Sequence, residues 1–165
     1  MPVPPCLRCG MLHEDRHKIV SSPTFSIGMS LTIYKETYFE ASHRLLNYSG
    51  KCFRLHGHQW RVEVWITGVA EPESQILVDY NCVKQVVNRF DHQVILNVKD
   101  PMVECLSRFQ EVITTEGDPT SENLAQIIAG MINDSCTADG LTATVTKIRV
   151  WESISCYAQL TFDEV

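Results

Sequence analysis

Three histidines and one cysteine form the densest group of chemically capable residues in the chain. His56 and His58 stand two positions apart in the run C-F-R-L-H-G-H, residues 52–58. In a β-strand, residues i and i+2 point to the same face, so both imidazoles can reach one metal ion. His43 ends the preceding strand-like stretch, and antiparallel pairing would place a third imidazole beside them. Three imidazoles leave a tetrahedral Zn²⁺ with one open position, as in catalytic zinc sites.

Cys52 is open to two interpretations. It shares the parity of the two histidines, so its sulfur approaches the same site if the strand extends that far. It is then either a reactive thiol beside a zinc ion or a fourth, structural zinc ligand. A further interpretation makes His56 and His58 ordinary surface histidines on an exposed strand, and spacing alone does not choose among these.

The pair Asp91-His92 is a second candidate for acid–base chemistry. Because the two residues are adjacent, we do not expect the carboxylate to hydrogen-bond the neighbouring ring easily. Both side chains can nevertheless serve a proton relay with a third group. The alternative is a helix-terminal carboxylate followed by a partly buried histidine.

Glu152, Thr120 and Ser121 are candidates for binding a polar ligand. Glu152 follows the apolar strand residues 148–151, where a carboxylate either faces a pocket or protects the edge of a sheet. Thr120 and Ser121 stand at a helix start, where their hydroxyls can cap free amides. The same amides can bind a polar ligand instead.

The first 28 residues differ from the rest of the chain and are predicted to be a flexible N-terminal extension. They contain the spacing C-x2-C-x3-H-x3-H at Cys6, Cys9, His13 and His17, which is similar to a small zinc knuckle. The extension has few apolar residues that could fold around a metal, so a coincidence in an unstructured tail is the favoured interpretation. Residues 29–165 are predicted to form one domain.

Hydrophobic periodicity predicts the elements that position these residues. Long strands joined by hairpin connections, with two helices between the pairs, give the order β-β-α-α-β-β. This order predicts an α+β fold in which helices cover one face of an antiparallel sheet. The two open sheet edges favour pairing with further copies, hence a homo-oligomer. The predicted elements are strands at 30–43 and about 55–68, a helix at about 79–90, an irregular helix and loop within 98–118, a helix starting at 119–121, and strands at about 142–151 and 156–162.

Composition narrows the function classes. The 165 residues carry a net charge of −6, and the basic residues are scattered, so a nucleic-acid partner is not expected. The seven cysteines lack the dense spacing of a secreted disulfide scaffold. The N-terminus lacks a signal-peptide core, and no apolar run is long enough to cross a membrane. We therefore expect a cytoplasmic protein with reduced thiols and no membrane partner.

Six motifs in order resemble the 6-pyruvoyl-tetrahydropterin synthase family, and especially its bacterial branch, 6-carboxy-tetrahydropterin synthase. The resemblance covers about residues 30–163, and it leaves out the N-terminal extension and some of the length between Asn97 and Pro119. The motifs are F-E-A-S-H-R-L (39–45), C-F-R-L-H-G-H (52–58), V-D-Y (78–80), F-D-H-Q-V-I-L-N (90–97), P-T-S-E-N-L-A (119–125) and W-E-S (151–153).

The resemblance implies a role for each candidate residue. The three histidines fall on the family's zinc ligands, and Cys52 falls on its catalytic thiol. Asp91 and His92 fall on the proton-relay partners of that thiol, which a neighbouring subunit usually contributes. Glu152 falls on the carboxylate that grips the pterin ring, assisted by Thr120 and Ser121. The implied fold is the tunnelling (T-fold) unit, which assembles into oligomeric barrels and often hexamers.

The implied activity is zinc-dependent conversion of 7,8-dihydroneopterin triphosphate to 6-carboxy-5,6,7,8-tetrahydropterin, with release of acetaldehyde and triphosphate, as in queuosine biosynthesis. The short gap between Cys52 and His56 is similar to that branch. The alternatives are the pyruvoyl-forming reaction, which stops before the side chain is cut, and a non-catalytic zinc-binding module.

Overall fold

Two thirteen-residue strands, β1 (Leu31–His43) and β2 (His56–Gly68), pair antiparallel at the centre of the structure, a computed structural model that describes residues 30–162. Every second residue of the pair faces the core. Phe39 of β1 stands opposite Trp60 of β2, and both are fully buried. This alternation is the signature of a strand with one buried face, and both strands lie where the sequence predicted them.

The sheet has six strands, and four of them join β1 and β2: β3 (Gln93–Asn97), β4 (Val112–Thr115), β5 (Ala143–Ser153) and β6 (Cys156–Thr161). Their order is β4-β3-β1-β2-β5-β6, with helices packed against one face, so the predicted α+β class is confirmed. The outer strands β5 and β6 pair antiparallel, as predicted, whereas β3 and β4 pair in parallel and make the sheet mixed. The helices are α1 (Tyr80–Asn88), α2 (Met102–Leu106) and α3 (Ser121–Ala138).

The two short parallel strands are absent from the sequence-based prediction. The centre of β3 is the continuous apolar run 94–96, which is buried throughout and shows no alternation. Such a run does not reveal by periodicity whether it is a strand or part of a helix. Residues 98–118 contain the short helix α2 and the strand β4 rather than an irregular helix and a loop.

Both long helices begin where the sequence predicted. The Asp79 carboxylate accepts a hydrogen bond from the amide of Asn81 at 2.8 Å at the start of α1. The Thr120 hydroxyl oxygen accepts one from the amide of Asn123 at 3.2 Å at the start of α3. The buried faces of α1 and α3 pack on the sheet and enclose the core.

The predicted N-terminal extension, residues 1–28, and its Cys6/Cys9/His13/His17 cluster lie outside the described residues. The domain boundaries at 29 and 165 therefore stay a prediction. Within residues 30–162, none of the helices combines the length and the apolar character that crossing a bilayer requires.

Candidate metal centre

The register of β1 and β2 brings the three predicted histidines together. His43 stands directly opposite His56, and His58 stands opposite Ala41 on the same face of the sheet. The ring centroids are 4.6 Å apart for His43 and His56, 5.2 Å for His43 and His58, and 4.8 Å for His56 and His58. The three imidazoles thus form one cluster at the end of the central hairpin, beside the buried ring of Trp60.

Backbone carbonyls fix the orientation of two of the rings. His43 Nδ1 lies 2.8 Å from the Pro119 carbonyl oxygen, and His56 Nδ1 lies 2.7 Å from the Arg54 carbonyl oxygen. A carbonyl oxygen only accepts hydrogen bonds, so each Nδ1 carries the proton and each Nε2 keeps its lone pair. Metal-binding histidines in proteins are held in this way.

Glu152 is the fourth member of the cluster. Its Oε1 lies 3.2 Å from His58 Nε2 and 3.5 Å from His43 Nε2. The ligand atoms of the three histidines and Glu152 all lie within 4.8 Å of one another. Although Glu152 is close, the Nε2 atoms of His43 and His58 are buried and make no hydrogen bond. Buried nitrogens without partners are costly, and a divalent cation would satisfy both, so these residues fit a metal ion.

The charges around the cluster suit a cation. Burial lowers the pKa of His58 below its ordinary value, although the nearby Glu152 carboxylate acts in the opposite direction. Contact with His43 lowers the pKa of Glu152, although burial acts against this. At neutral pH His58 is therefore neutral and Glu152 ionised, which are the forms that bind a metal.

A hydrogen-bonded loop that the sequence did not reveal holds the Pro119 carbonyl in place. The Asp118 carboxylate accepts the amide of Asn47 at 2.8 Å and the side-chain amide of Asn97 at 2.9 Å. The Asn123 side chain donates to the carbonyl of Asp118 at 3.0 Å. Asn47 and Asn97 lie far from the loop in sequence, so no local pattern could have indicated this network.

Cys52 lies outside the four-residue cluster. It belongs to a 3-10 turn at Lys51–Phe53, and β2 begins only at His56, so the strand does not extend to Cys52 and strand parity does not apply to it. The half-buried residue is nevertheless held against the end of β1, because its carbonyl accepts the amide of Leu45 at 2.8 Å. Leu45 follows His43 by two positions.

Asp91 and His92 connect α1 to β3 and do not join the cluster of their own chain. Contrary to the prediction from adjacency, Asp91 Oδ2 lies 3.0 Å from His92 Nδ1. This contact accompanies a left-handed backbone at His92, with a φ of 58°. Asp91 Oδ1 also accepts the amide of Glu40 at 2.8 Å, and this hydrogen bond is the largest contribution that lowers the pKa of Asp91.

His92 lines a cleft of about 520 Å³ together with Ser42 and Gln59, among other residues. Ser42 and Gln59 alternate with the clustered histidines along β1 and β2, so their side chains point to the opposite face of the sheet. With 79% of the His92 side chain and 38% of the Asp91 side chain exposed, the pair is available to a neighbouring molecule.

Residues 32–162 match the family model described as 6-pyruvoyl tetrahydropterin synthase. The chain belongs to this family. It is 32% identical over 151 residues to a Pyrococcus abyssi protein provisionally named 6-carboxy-5,6,7,8-tetrahydropterin synthase, covering 82% of this chain and 92% of the relative. It is 28% identical over 158 residues to the Aquifex aeolicus 6-carboxy-5,6,7,8-tetrahydropterin synthase, covering 79% and 98%.

The fold agrees with this membership. The structure of Caenorhabditis elegans 6-pyruvoyl tetrahydropterin synthase superposes with a TM-score of 0.57 at 22% identity, covering 82% of this chain and 97% of that one. The mixed sheet with helices on one face is thus the T-fold unit of the 6-pyruvoyl tetrahydropterin synthase family.

In this member of the family, the start of α3 lies at the histidine cluster. Thr120 and Ser121 follow Pro119 directly, and the Pro119 carbonyl contacts the His43 ring. Ser121 is buried, and Thr120 caps the helix. The structure therefore brings Thr120 and Ser121 to the side of the sheet that carries the histidines, where Glu152 also lies.

Proposed function

We propose that this chain is a 6-carboxy-5,6,7,8-tetrahydropterin synthase, which converts 7,8-dihydroneopterin triphosphate and releases acetaldehyde and triphosphate. The observation that carries the proposal is the convergence of His43, His56 and His58 on one point, with two buried ring nitrogens that make no hydrogen bond. Membership in the family and the names of the relatives supply the substrate and the reaction.

The three histidines would hold Zn²⁺ through their Nε2 atoms. Zinc at this position would polarise the oxygen atoms of the substrate side chain and acidify the neighbouring C–H bonds. The chemistry of the donor atoms supports zinc, since neutral imidazole nitrogen is a preferred ligand of this metal.

Cys52 is proposed as the acid and base that takes up and returns protons of the substrate side chain. A thiolate close to a cation forms near neutral pH, which a proton carrier in this reaction requires. The turn that contains Cys52 is held next to the end of β1, and this position supports the assignment.

Asp91 and His92 are proposed to poise the thiol of a neighbouring copy. Their contact at 3.0 Å forms a ready relay, and their exposure leaves the pair open to another molecule. The active site is then shared between two chains, and the functional protein is a homo-oligomer of the T-fold type.

Glu152, Thr120 and Ser121 are proposed to bind the pterin ring. A carboxylate can accept two parallel hydrogen bonds from the guanidine-like edge of a pterin, as it does from an arginine. The start of α3 is close to this carboxylate, because the His43 ring contacts both Glu152 and the carbonyl of Pro119, which precedes Thr120.

Product analysis after incubation with 7,8-dihydroneopterin triphosphate tests the reaction. We expect 6-carboxy-5,6,7,8-tetrahydropterin and one acetaldehyde per turnover. The alternative is the pyruvoyl-forming reaction, for which the matched family model is named. That reaction would release triphosphate without acetaldehyde. Full activity in the Cys52→Ala variant would contradict the role assigned to the thiol.

Mixing two inactive variants tests the shared site. Cys52→Ala and His92→Ala each remove a residue from a different side of the proposed interface. After the two proteins exchange subunits, some sites contain an intact thiol and an intact relay, so activity should return. If subunit exchange is verified and the mixture of the two variants stays inactive, both residues would belong to a site formed by a single chain.

Thiol labelling separates the enzyme from a non-catalytic zinc module. A catalytic Cys52 should react with iodoacetamide while zinc stays bound, whereas a structural ligand is protected by the metal.

The cytoplasmic location is proposed together with this function, since the reaction requires a reduced thiol.

A further inference from the structure

Glu152 could serve two roles. Its carboxylate contacts two histidines of the cluster, and the proposed function assigns the same carboxylate to the pterin ring. We propose that Glu152 is the fourth metal ligand when the site holds no substrate, and that the pterin ring releases it. The release step rests on the proposed function, whereas the ligand step rests on the geometry of the cluster alone.

The two contacts of Glu152 with histidines have the length expected between ligands of one tetrahedral zinc ion. Ligand atoms about 2.0–2.1 Å from such an ion lie about 3.3 Å from one another. Glu152 Oε1 lies 3.2 Å from His58 Nε2 and 3.5 Å from His43 Nε2, so its carboxylate would reach an ion held by these two histidines. Neither nitrogen makes a hydrogen bond, which fits lone pairs aimed at a common centre.

Among residues 30–162, no lysine or arginine forms an ion pair with Glu152, so a cation among the three imidazoles would be its main cationic partner. Within this range, its ion-pair contacts are with His43 and His58, and Glu152 is two-thirds shielded from solvent with a side-chain exposure of 30%. Arg149, on the same strand, instead contacts Glu63, Gln159 and the rings on the other face of the sheet. A divalent ion among the three imidazoles would provide this cationic partner.

The proposal links binding of the pterin ring to the access of the substrate to the metal. If Glu152 were bound, a tetrahedral metal would have three nitrogen ligands and one oxygen ligand, and no position would be open for a substrate oxygen. A pterin ring offers the carboxylate two N–H donors in a fixed geometry. Once the carboxylate turns to these donors, the fourth position opens only in the presence of the correct ring.

Cobalt-substituted protein tests both steps. The measurements are the Co²⁺ dissociation constant and the visible d–d absorption, each with and without pterin as the bare ring. The variants are Glu152→Gln and Glu152→Asp, with Glu116→Gln as the control. Glu116 is an exposed carboxylate on the loop before α3, and its side chain makes no described hydrogen bond or ion pair.

We expect Glu152→Gln to weaken Co²⁺ binding by at least about tenfold and to change the absorption, with Glu152→Asp intermediate and Glu116→Gln unchanged. Adding pterin to the unaltered protein should shift the absorption toward that of the Glu152→Gln variant. Equal affinity and spectrum in Glu152→Gln would overturn the ligand step. Weaker affinity without any pterin-dependent shift would overturn the release step.

These readouts are independent of turnover. If the product assay shows another reaction, the cobalt affinity and spectrum of the unliganded protein still decide whether Glu152 is a ligand. If the product assay succeeds and the cobalt measurements do not respond to Glu152→Gln, the proposed function stands and only this inference fails.

Discussion

Replacing Asp100 by alanine should destabilise the protein more than any surface charge change, because Asp100 neutralises a buried arginine. Arg44 Nε lies 2.5 Å from Asp100 Oδ2, and Arg44 Nη2 lies 2.7 Å from Asp100 Oδ1. The Asp100 side chain is fully buried and that of Arg44 is 11% exposed. Arg44 follows His43 directly, at the end of β1. Asp100 also accepts a hydrogen bond from the amide of Met102, so the pair connects the end of β1 to the start of α2.

The magnitude follows from the charge left behind. Hydrogen bonding to Asp100 raises the pKa of Arg44 in the unaltered protein. A guanidinium does not lose its proton in proteins, so Arg44 stays charged when Asp100 is removed. Removing one partner of a buried ion pair costs about 3–5 kcal/mol, because the remaining charge has no partner. A domain of this size has a free energy of unfolding of about 5–15 kcal/mol, so the loss is a large share of the total.

Urea unfolding of the metal-free protein measures the effect. The matched control is Glu104→Ala, which breaks an exposed pair on α2 in which Arg108 Nη2 lies 3.0 Å from Glu104 Oε1. An exposed pair of this spacing contributes about 0.3–0.5 kcal/mol. The double variant Arg44→Met/Asp100→Leu should recover most of the loss, because it removes both charges.

The result that refutes this reasoning is a small difference. If Asp100→Ala lowers the free energy of unfolding by no more than about 1 kcal/mol beyond Glu104→Ala, the buried arginine has found another partner or water. In that case the pair does not anchor the end of β1.

Four further predictions concern stability and reactivity. Gly130→Ala in α3 should stabilise by about 0.5–1 kcal/mol, because a Cβ there meets nothing and alanine favours a helix. Gly68→Ala should cost about 1–3 kcal/mol in the same urea assay, because its Cβ would collide with the backbone carbonyl that precedes β5. Burial opposes the low pKa of Asp118, but hydrogen bonds from Asn97 and from backbone amides outweigh it. At pH values above the ordinary carboxyl pKa, Asp118→Asn should therefore lower the free energy of unfolding by about 1 kcal/mol. This difference should vanish as the pH falls through the pKa of Asp118 in the folded protein. A difference that does not depend on pH would contradict this. Burial raises the pKa of Cys136 to about 11, so mass spectrometry should find it unlabelled by iodoacetamide in the folded protein at neutral pH.

Local sequence was enough for the elements that repeat a period or carry a cap. The alternation along β1 and β2 located both strands, and two-residue spacing predicted that His56 and His58 share a face. Asp79 and Thr120 marked the two helix starts because a cap is a contact between near neighbours. Six short motifs in a fixed order were sufficient to indicate the family.

Tertiary structure decided what depends on distant residues. The sequence could not show that Glu152, about a hundred residues from His43, stands 3.5 Å from its ring nitrogen, or that Asp118 gathers Asn47 and Asn97. The sequence also left open whether the strand of His56 and His58 extends to Cys52, and the structure shows a 3-10 turn there instead. Periodicity records how one segment faces the core, while contacts between segments depend on sheet order and register, which only the folded chain fixes.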